Sequence, residues 1–161
     1  MSGINVNTTA GSKIYISSAL PETIDESGFN AVTGFTKISR VTNFDTIAQT
    51  FTRVPFNDVE MRETYTLKGT KDPVEFTVEL GRVASDAGQI AVLNAFNSDD
   101  DFSFYIETQD GTKWYFLGKV MDTSLTLGDV NTVIGRTMVV ALNSIVIEAE
   151  VGTTTTTTTE E

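Results

Sequence analysis

The sequence predicts a mainly β protein: a β-sandwich or barrel with one flanking α-helix at about residues 86–97. Three observations point there. Apolar and polar residues alternate with a period of two through most of the middle of the chain. Asp110-Gly111 separates two such runs, the chemistry of a hairpin turn that needs positive φ. Residues 86–97 alone carry a helical spacing.

The elements follow in order. Residues 1–12 are rich in Ser, Gly, Asn and Thr and read as a flexible arm. Strands are expected at 13–17 and around 35–41, separated by a loop over 20–34 that holds Pro21, Gly28 and Gly34. Residues 42–60 contain Phe44, Phe51, Pro55 and Phe56 without a strand rhythm and read as a long loop. A loop of that length in a compact domain is usually functional, and its apolar side chains need cover from somewhere.

Met61, Tyr65 and Leu67 then alternate with Arg62, Thr64, Thr66 and Lys68, with Glu63 interrupting the apolar side. Val74, Phe76, Val78 and Leu80 alternate with Glu75, Thr77 and Glu79, giving one dry face and one acidic face. Asp86 and Gln89 have the spacing of a capping box, and Ile90, Leu93 and Phe96 recur at a helical spacing behind them. Phe102, Phe104 and Ile106 alternate in the next strand. Trp114, Phe116, Gly118 and Val120 share one face of its hairpin partner, opposite Tyr115, Leu117 and Lys119. Further strands are expected at 124–127, 136–142 and 144–151. Residues 152–161, with seven consecutive threonines, have no apolar face to bury and read as a disordered tail. The folded domain is therefore expected at 13–151.

Composition narrows the chemistry. The chain has 161 residues, no cysteine and no histidine. A disulfide scaffold, a thiol nucleophile and the commonest metal ligands and neutral-pH bases are absent. The net charge is −11, and such a field repels a phosphate backbone. No apolar run approaches a membrane-spanning length. The N-terminus lacks a basic segment followed by an apolar one, so synthesis in a cytoplasm is the expectation.

No motif for nucleophilic catalysis or phosphate binding occurs: neither G-x-S-x-G, nor a Walker A sequence, nor G-x-G-x-x-G. No catalytic residue, metal site or cofactor is expected. Asp99-Asp100-Asp101 lacks the alternate ligand positions and closing glutamate of a calcium loop and reads as a helix-to-strand turn. Nothing in the spacing of the 22 acids singles out a hydrolytic pair. The aromatic row Phe102, Phe104, Trp114 and Phe116 lies among acids rather than in a basic groove, so core packing is favoured over base stacking. The acidic face of residues 74–80, beside Thr64, Thr66 and Lys68, reads either as ordinary solvent surface or as the inner wall of an assembly.

The order of these features carries a resemblance. The strand in Gly11-Ser12-Lys13-Ile14-Tyr15-Ile16-Ser17 is followed by the loop at 42–60 and the paired strands near 61–68 and 74–80. The helix at 86–97, the Asp110-Gly111 hairpin and the closing strands come next. This resembles the tail tube (major tail) proteins of long-tailed, non-contractile, siphovirus-type phages. The resemblance implies a virion structural protein without enzymatic activity, made in the host cytoplasm and incorporated in the tail. It implies rings, usually hexameric, stacked into a hollow, acidic-lined tube through which DNA passes without specific binding.

In such a tube the 42–60 loop, with Phe44, Phe51, Arg53, Phe56 and Asp58, is the expected stacking element. Glu75, Glu79, Thr77 and Lys68 are the expected lumen residues. Tape measure, tail-tip and tail-terminator proteins are the implied partners. Some family members add a decoration domain after the tube domain, whereas here a threonine-rich stretch follows it. Two other readings remain: another ring or tube component, such as a terminator or a type VI-like tube subunit, and a monomeric ligand-binding β domain.

Overall fold

The computed structural model describes Val6 and residues 8–149. Most of the first seven residues, part of the expected N-terminal arm, lie outside the described residues, as does the whole of the expected tail at 152–161. The elements are β1 (Lys13–Ser17), α1 (Glu26–Asn30), β2 (Thr36–Ile38), β3 (Val41–Phe44), β4 (Phe51–Asp58) and β5 (Glu63–Lys71), then β6 (Val74–Gly81), α2 (Ala87–Phe96), β7 (Phe102–Glu107), β8 (Lys113–Thr126), β9 (Gly135–Leu142) and β10 (Ile147–Ala149). The mainly β class with antiparallel pairing is as the alternation predicts.

Eight strands form one sheet in the order β2-β1-β7-β8-β9-β6-β3, with β10 beside β8. Its two end strands, β2 and β3, are consecutive in the chain and joined through Ser39 and Arg40. The sheet therefore curls until its edges meet at that corner, where Arg40 takes φ 63°. The core fills the curl. Ile14, Ile16, Phe76, Val78, Phe104, Phe116, Met138 and Val140 are all essentially inaccessible. Phe104 and Phe116 stack at 5.4 Å, so these aromatics are packing residues.

Helix α2 packs on β8, β2 and β1, with its N-terminal end at that corner. Asp86 is its N-cap, accepting from the Gln89 N–H at 3.0 Å. Gln89 does not reach back to complete the box. Its buried side chain accepts from the Val83 N–H and donates to the carbonyl oxygens of Ser39 and Gly81. The buried face of the helix is Gly88, Gln89, Val92 and Ala95, while Ile90 and Phe96 are exposed. The apolar spacing of Ile90, Leu93 and Phe96 therefore marks a different face from the buried one. Gly88 explains the choice: a Cβ there would sit 2.1 Å from the Lys37 carbonyl oxygen. Only a face with glycine at that point can approach β2 so closely.

Three further readings are corrected. The loop expected over 20–34 contains the short helix α1, capped by Asp25, which accepts from the Gly28 N–H at 2.7 Å. Phe29 on this helix stacks on Tyr115 in a second small cluster on the outer face of the sheet. Residues 42–60, expected as an irregular loop, contain β3 and β4. The strand expected at 61–68 does not pair with the one at 74–80: β5 pairs with β4 in a separate two-stranded hairpin, and β6 lies between β9 and β3.

Candidate functional site

Two surfaces stand out, and the sheet topology makes both. The first is a wall of four strands, β8-β9-β6-β3. Register places Glu75 opposite Ala141, Thr77 opposite Val139 and Glu79 opposite Thr137. On the far side, Lys119 lies opposite Ala141, Asp122 opposite Val139 and Ser124 opposite Thr137. A bulge at Met121 keeps Asp122 on the same face as Lys119. Asn43 continues the row beside Glu79. All these side chains share the face turned away from the core, and its charges are three carboxylates and one ammonium group.

Among the described residues the edges of this wall lack strand partners, although α2 packs against β8. β7 pairs with β8 only as far as Gly118, so the side of β8 facing away from β9 has no strand partner among the described residues over 119–126. Among the described residues β3 has a strand on one side only. Unpaired strand edges are templates for another chain.

The second surface is the β4–β5 hairpin, which stands off the main sheet. Its cross-strand pairs sort it into two faces. Val54 pairs with Leu67 and Phe56 with Tyr65, giving an apolar face. Arg53 pairs with Lys68, Pro55 with Thr66 and Asn57 with Thr64, giving a polar, basic one. The four apolar side chains are 43–53% exposed, and none belongs to either core cluster. Pro55 is tolerated because a two-stranded ribbon leaves outward backbone positions unpaired. Asp58 builds the turn, accepting from the N–H groups of Glu60 and Met61 at 2.9 and 3.2 Å. The hairpin base is tied to the body by Thr52 Oγ1 donating to Asp72 Oδ1 and Lys71 Nζ donating to the Ser144 carbonyl oxygen.

The expected site residues divide between these surfaces. Phe51, Arg53, Phe56 and Asp58 lie on the hairpin. Phe44 does not; it is half-buried in β3 and its ring stacks on Phe76 at 6.2 Å. Glu75, Thr77 and Glu79 share the polar face of the wall. Lys68 is in β5, on the other sheet, with Nζ 5.2 Å from the centre of the Phe51 ring. Sequence reasoning missed Lys119, Asp122, Thr137 and Val139 as neighbours of Glu75 and Glu79, because strand order is not written in a local period.

Asp99, Asp100 and Asp101 form the turn after α2. The Asp99 carbonyl oxygen accepts from Lys119 Nζ and Asp101 Oδ1 from Asn143 Nδ2, each at 2.6 Å. Among the described residues, no three His, Cys, Asp or Glu side chains are grouped to hold a metal ion. A cleft of about 400 Å³ lies where the β3–β4 connection crosses the sheet, lined by Ile47, Gln49, Ile106, Trp114, Val146 and Glu148.

Asp86, the N-cap of α2, has a carboxyl perturbed by its surroundings. Burial opposes its ionisation, but the Ser39 and Gln89 N–H groups, with help from the Lys37 charge, outweigh that and hold the carboxyl below the usual range.

No protein-family model and no curated protein matches the sequence. Solved structures do match by shape. The SPP1 tail tube, solved by solid-state NMR and cryo-EM, aligns with a TM-score of 0.61 at 12% identity, covering 87% of this chain and 77% of that one. A chain from the tail of an empty GTA particle, refined with C6 symmetry, aligns at 0.62 with 11% identity, covering 91% and 100%. A chain of the PVC sheath/tube terminator, from an extracellular contractile injection system, aligns at 0.63 with 9% identity, covering 91% and 99%. At these identities the likeness establishes the fold, and this chain has the fold that those three chains share.

Proposed function

We propose that this chain is a non-catalytic structural subunit of a virion-type tail tube, closing into rings that stack into a hollow conduit. The observation that carries this reading is the four-stranded wall whose two edges lack strand partners among the described residues. Strand direction alternates across it, so β3 and β8 run antiparallel to each other. The β3 edge of one copy can therefore take the β8 edge of the next as an ordinary antiparallel neighbour, and every added copy contributes four strands in unbroken alternation. Such a contact is heterologous, and it closes when its rotation divides a full turn. Six copies is the proposed number, by analogy with the C6 tail of the GTA particle.

In the closed ring the face bearing Glu75, Thr77, Glu79, Thr137 and Asp122 lines the lumen. Its net negative charge favours passage of a polyanion over retention. Lys68 belongs instead to the hairpin, where Phe51, Arg53 and Phe56 are proposed to make contacts between rings. Tape measure, tail-tip and terminator proteins are the partners such a tube requires. The fold neighbours include both a phage tail tube and a contractile-system component, so the proposal covers a tube with or without a sheath.

Negative-stain electron microscopy of the purified chain at high concentration tests the reading. Rings or hollow tubes are expected. Rings that never stack would instead point to a terminator. Dispersed particles at every concentration would favour a monomeric β domain, with the cleft at Trp114 as its first candidate site.

A further inference from the structure

The wall has two ends, and register says what stands at each. β6 runs from Val74 to Gly81, a distance of about 25 Å for an eight-residue strand. Val74 is level with Leu142, and Gly81 with Gly135. The β4–β5 hairpin enters β6 through Asp72 and Pro73, so its base lies at the Val74 end. The turn between β8 and β9 lies at the Gly81 end, because Thr126 pairs with Gly135. That turn is apolar and uncovered. Leu127, Val130 and Val133 are among the most exposed large apolar residues of the chain, with Val130 99% accessible. Asp129 shapes it from within, accepting from the Asn131 N–H and Thr132 Oγ1.

The chain thus carries two exposed apolar surfaces, one on the hairpin whose base lies at the Val74 end of the wall and one on the turn at its Gly81 end. A single copy cannot close one against the other across the length of β6, whereas two copies stacked head to tail can. Charge favours the same pairing. Residues 51–71 carry four basic and three acidic side chains, while the rest of the chain carries seven against nineteen. The only charge in the turn itself is Asp129.

We propose that the apolar face of the β4–β5 hairpin, Val54, Phe56, Tyr65 and Leu67, docks on the β8–β9 turn of the next copy along the stack, against Leu127, Val130 and Val133. The inference rests on the stacking reading and assigns it a receiving surface. The contact joins unlike surfaces at opposite ends, so it repeats by translation and leaves both ends of a stack competent to grow.

The absence of cysteine in the natural chain makes a direct test available. Phe56→Cys and Val130→Cys are made as separate proteins distinguishable by mass, mixed under assembling conditions, oxidised and resolved by mass. Mixed disulfide dimers in at least severalfold excess over either homodimer are expected. Assemblies visible by electron microscopy without that excess would overturn the inference and leave stacking intact. No association by microscopy and no disulfide at any concentration would overturn both. Val130→Asp provides a second reading, since so exposed a residue contributes nothing to the fold of one copy. Rings should persist and tubes should fall at least tenfold; undiminished tubes would count against the β8–β9 turn as receiver.

Discussion

The side-chain amide of Gln89 donates to the carbonyl oxygen of Ser39 at 3.2 Å, across fifty residues of sequence. The same amide donates to Gly81 at 2.9 Å, and its oxygen accepts from Val83. One side chain therefore holds the β2–β3 corner, the end of β6 and the approach to α2, which are the places where the sheet closes.

Replacing it should be costly. Gln89→Leu keeps the bulk but strands two carbonyl groups and one N–H near the seam. An unsatisfied buried group costs about 1–3 kcal/mol, so a loss of about 2–4 kcal/mol is expected in urea unfolding. A loss under about 1 kcal/mol would mean that the corner opens to water at little cost.

Asp86 should make the same corner sensitive to acid. Its folded carboxyl titrates below its unfolded value, so its contribution is complete above the unfolded value and fades as pH falls through the folded one. The stability difference between the natural chain and Asp86→Asn should be largest near neutral pH and shrink toward pH 2. A difference that stays constant with pH would assign the effect to shape rather than charge.

Gly88 tests the packing of α2 directly. A Cβ would meet the Lys37 carbonyl oxygen at 2.1 Å and the Ile38 Cα at 2.6 Å, both backbone atoms that cannot swing aside. Gly88→Ala, which raises helix propensity, should nevertheless destabilise the protein by about 1–3 kcal/mol, the usual cost of overpacking. A thermal midpoint at or above that of the natural chain would show that the helix can lift off β2 freely.

These residues also show what was legible in the sequence. Period-two alternation identified β6, β7 and the first half of β8, and it assigned their faces correctly. The core took Phe76, Phe104 and Phe116, while Glu75 and Glu79 faced outward. The helix was legible, but its orientation was not. Ile90, Leu93 and Phe96 carry the stronger apolar spacing, yet Gly88 decides the buried face through a close approach that only tertiary structure reveals. The β4–β5 hairpin was half legible. Pro55 interrupts the alternation of Val54 and Phe56, and the partner of β5 depends on topology rather than on any local signal. α1 hid in a loop because one turn and a half of helix, capped by Asp25, has too few residues to show a period.

The polar face of the wall makes a prediction about nucleic acid. Glu75→Lys with Glu79→Lys turns three acids and one lysine into three lysines and one acid on that face of every copy. If the face lines a lumen, assembled tubes of the double variant should retain DNA, with retention falling steeply as salt rises because bound counterions are released. The natural tubes should retain none under the same conditions. Equal, negligible retention by both would place these glutamates elsewhere than on the lumen.

The hairpin permits a sharper deletion than its sequence suggested. Removing residues 42–60 would take β3 and Phe44 out of the main sheet, and with them the stacking of Phe44 on Phe76. The resulting damage would say nothing about assembly. Excising residues 54–67, with Arg53 joined to Lys68 through Asn-Gly, removes only side chains outside both core clusters. The tie between Thr52 and Asp72 at the hairpin base remains. The shortened chain should unfold within a few degrees of the natural one, because none of the excised side chains packs in either core cluster. Its open edges at β3 and β8 are untouched, so rings should still close. Stacks should be lost, since the exposed apolar face that needs a partner is gone. Circular dichroism melting and negative-stain imaging of the same preparation separate the outcomes. Tubes of normal length would remove the hairpin from the stacking contact, and loss of rings as well as tubes would move it into the ring-closing one.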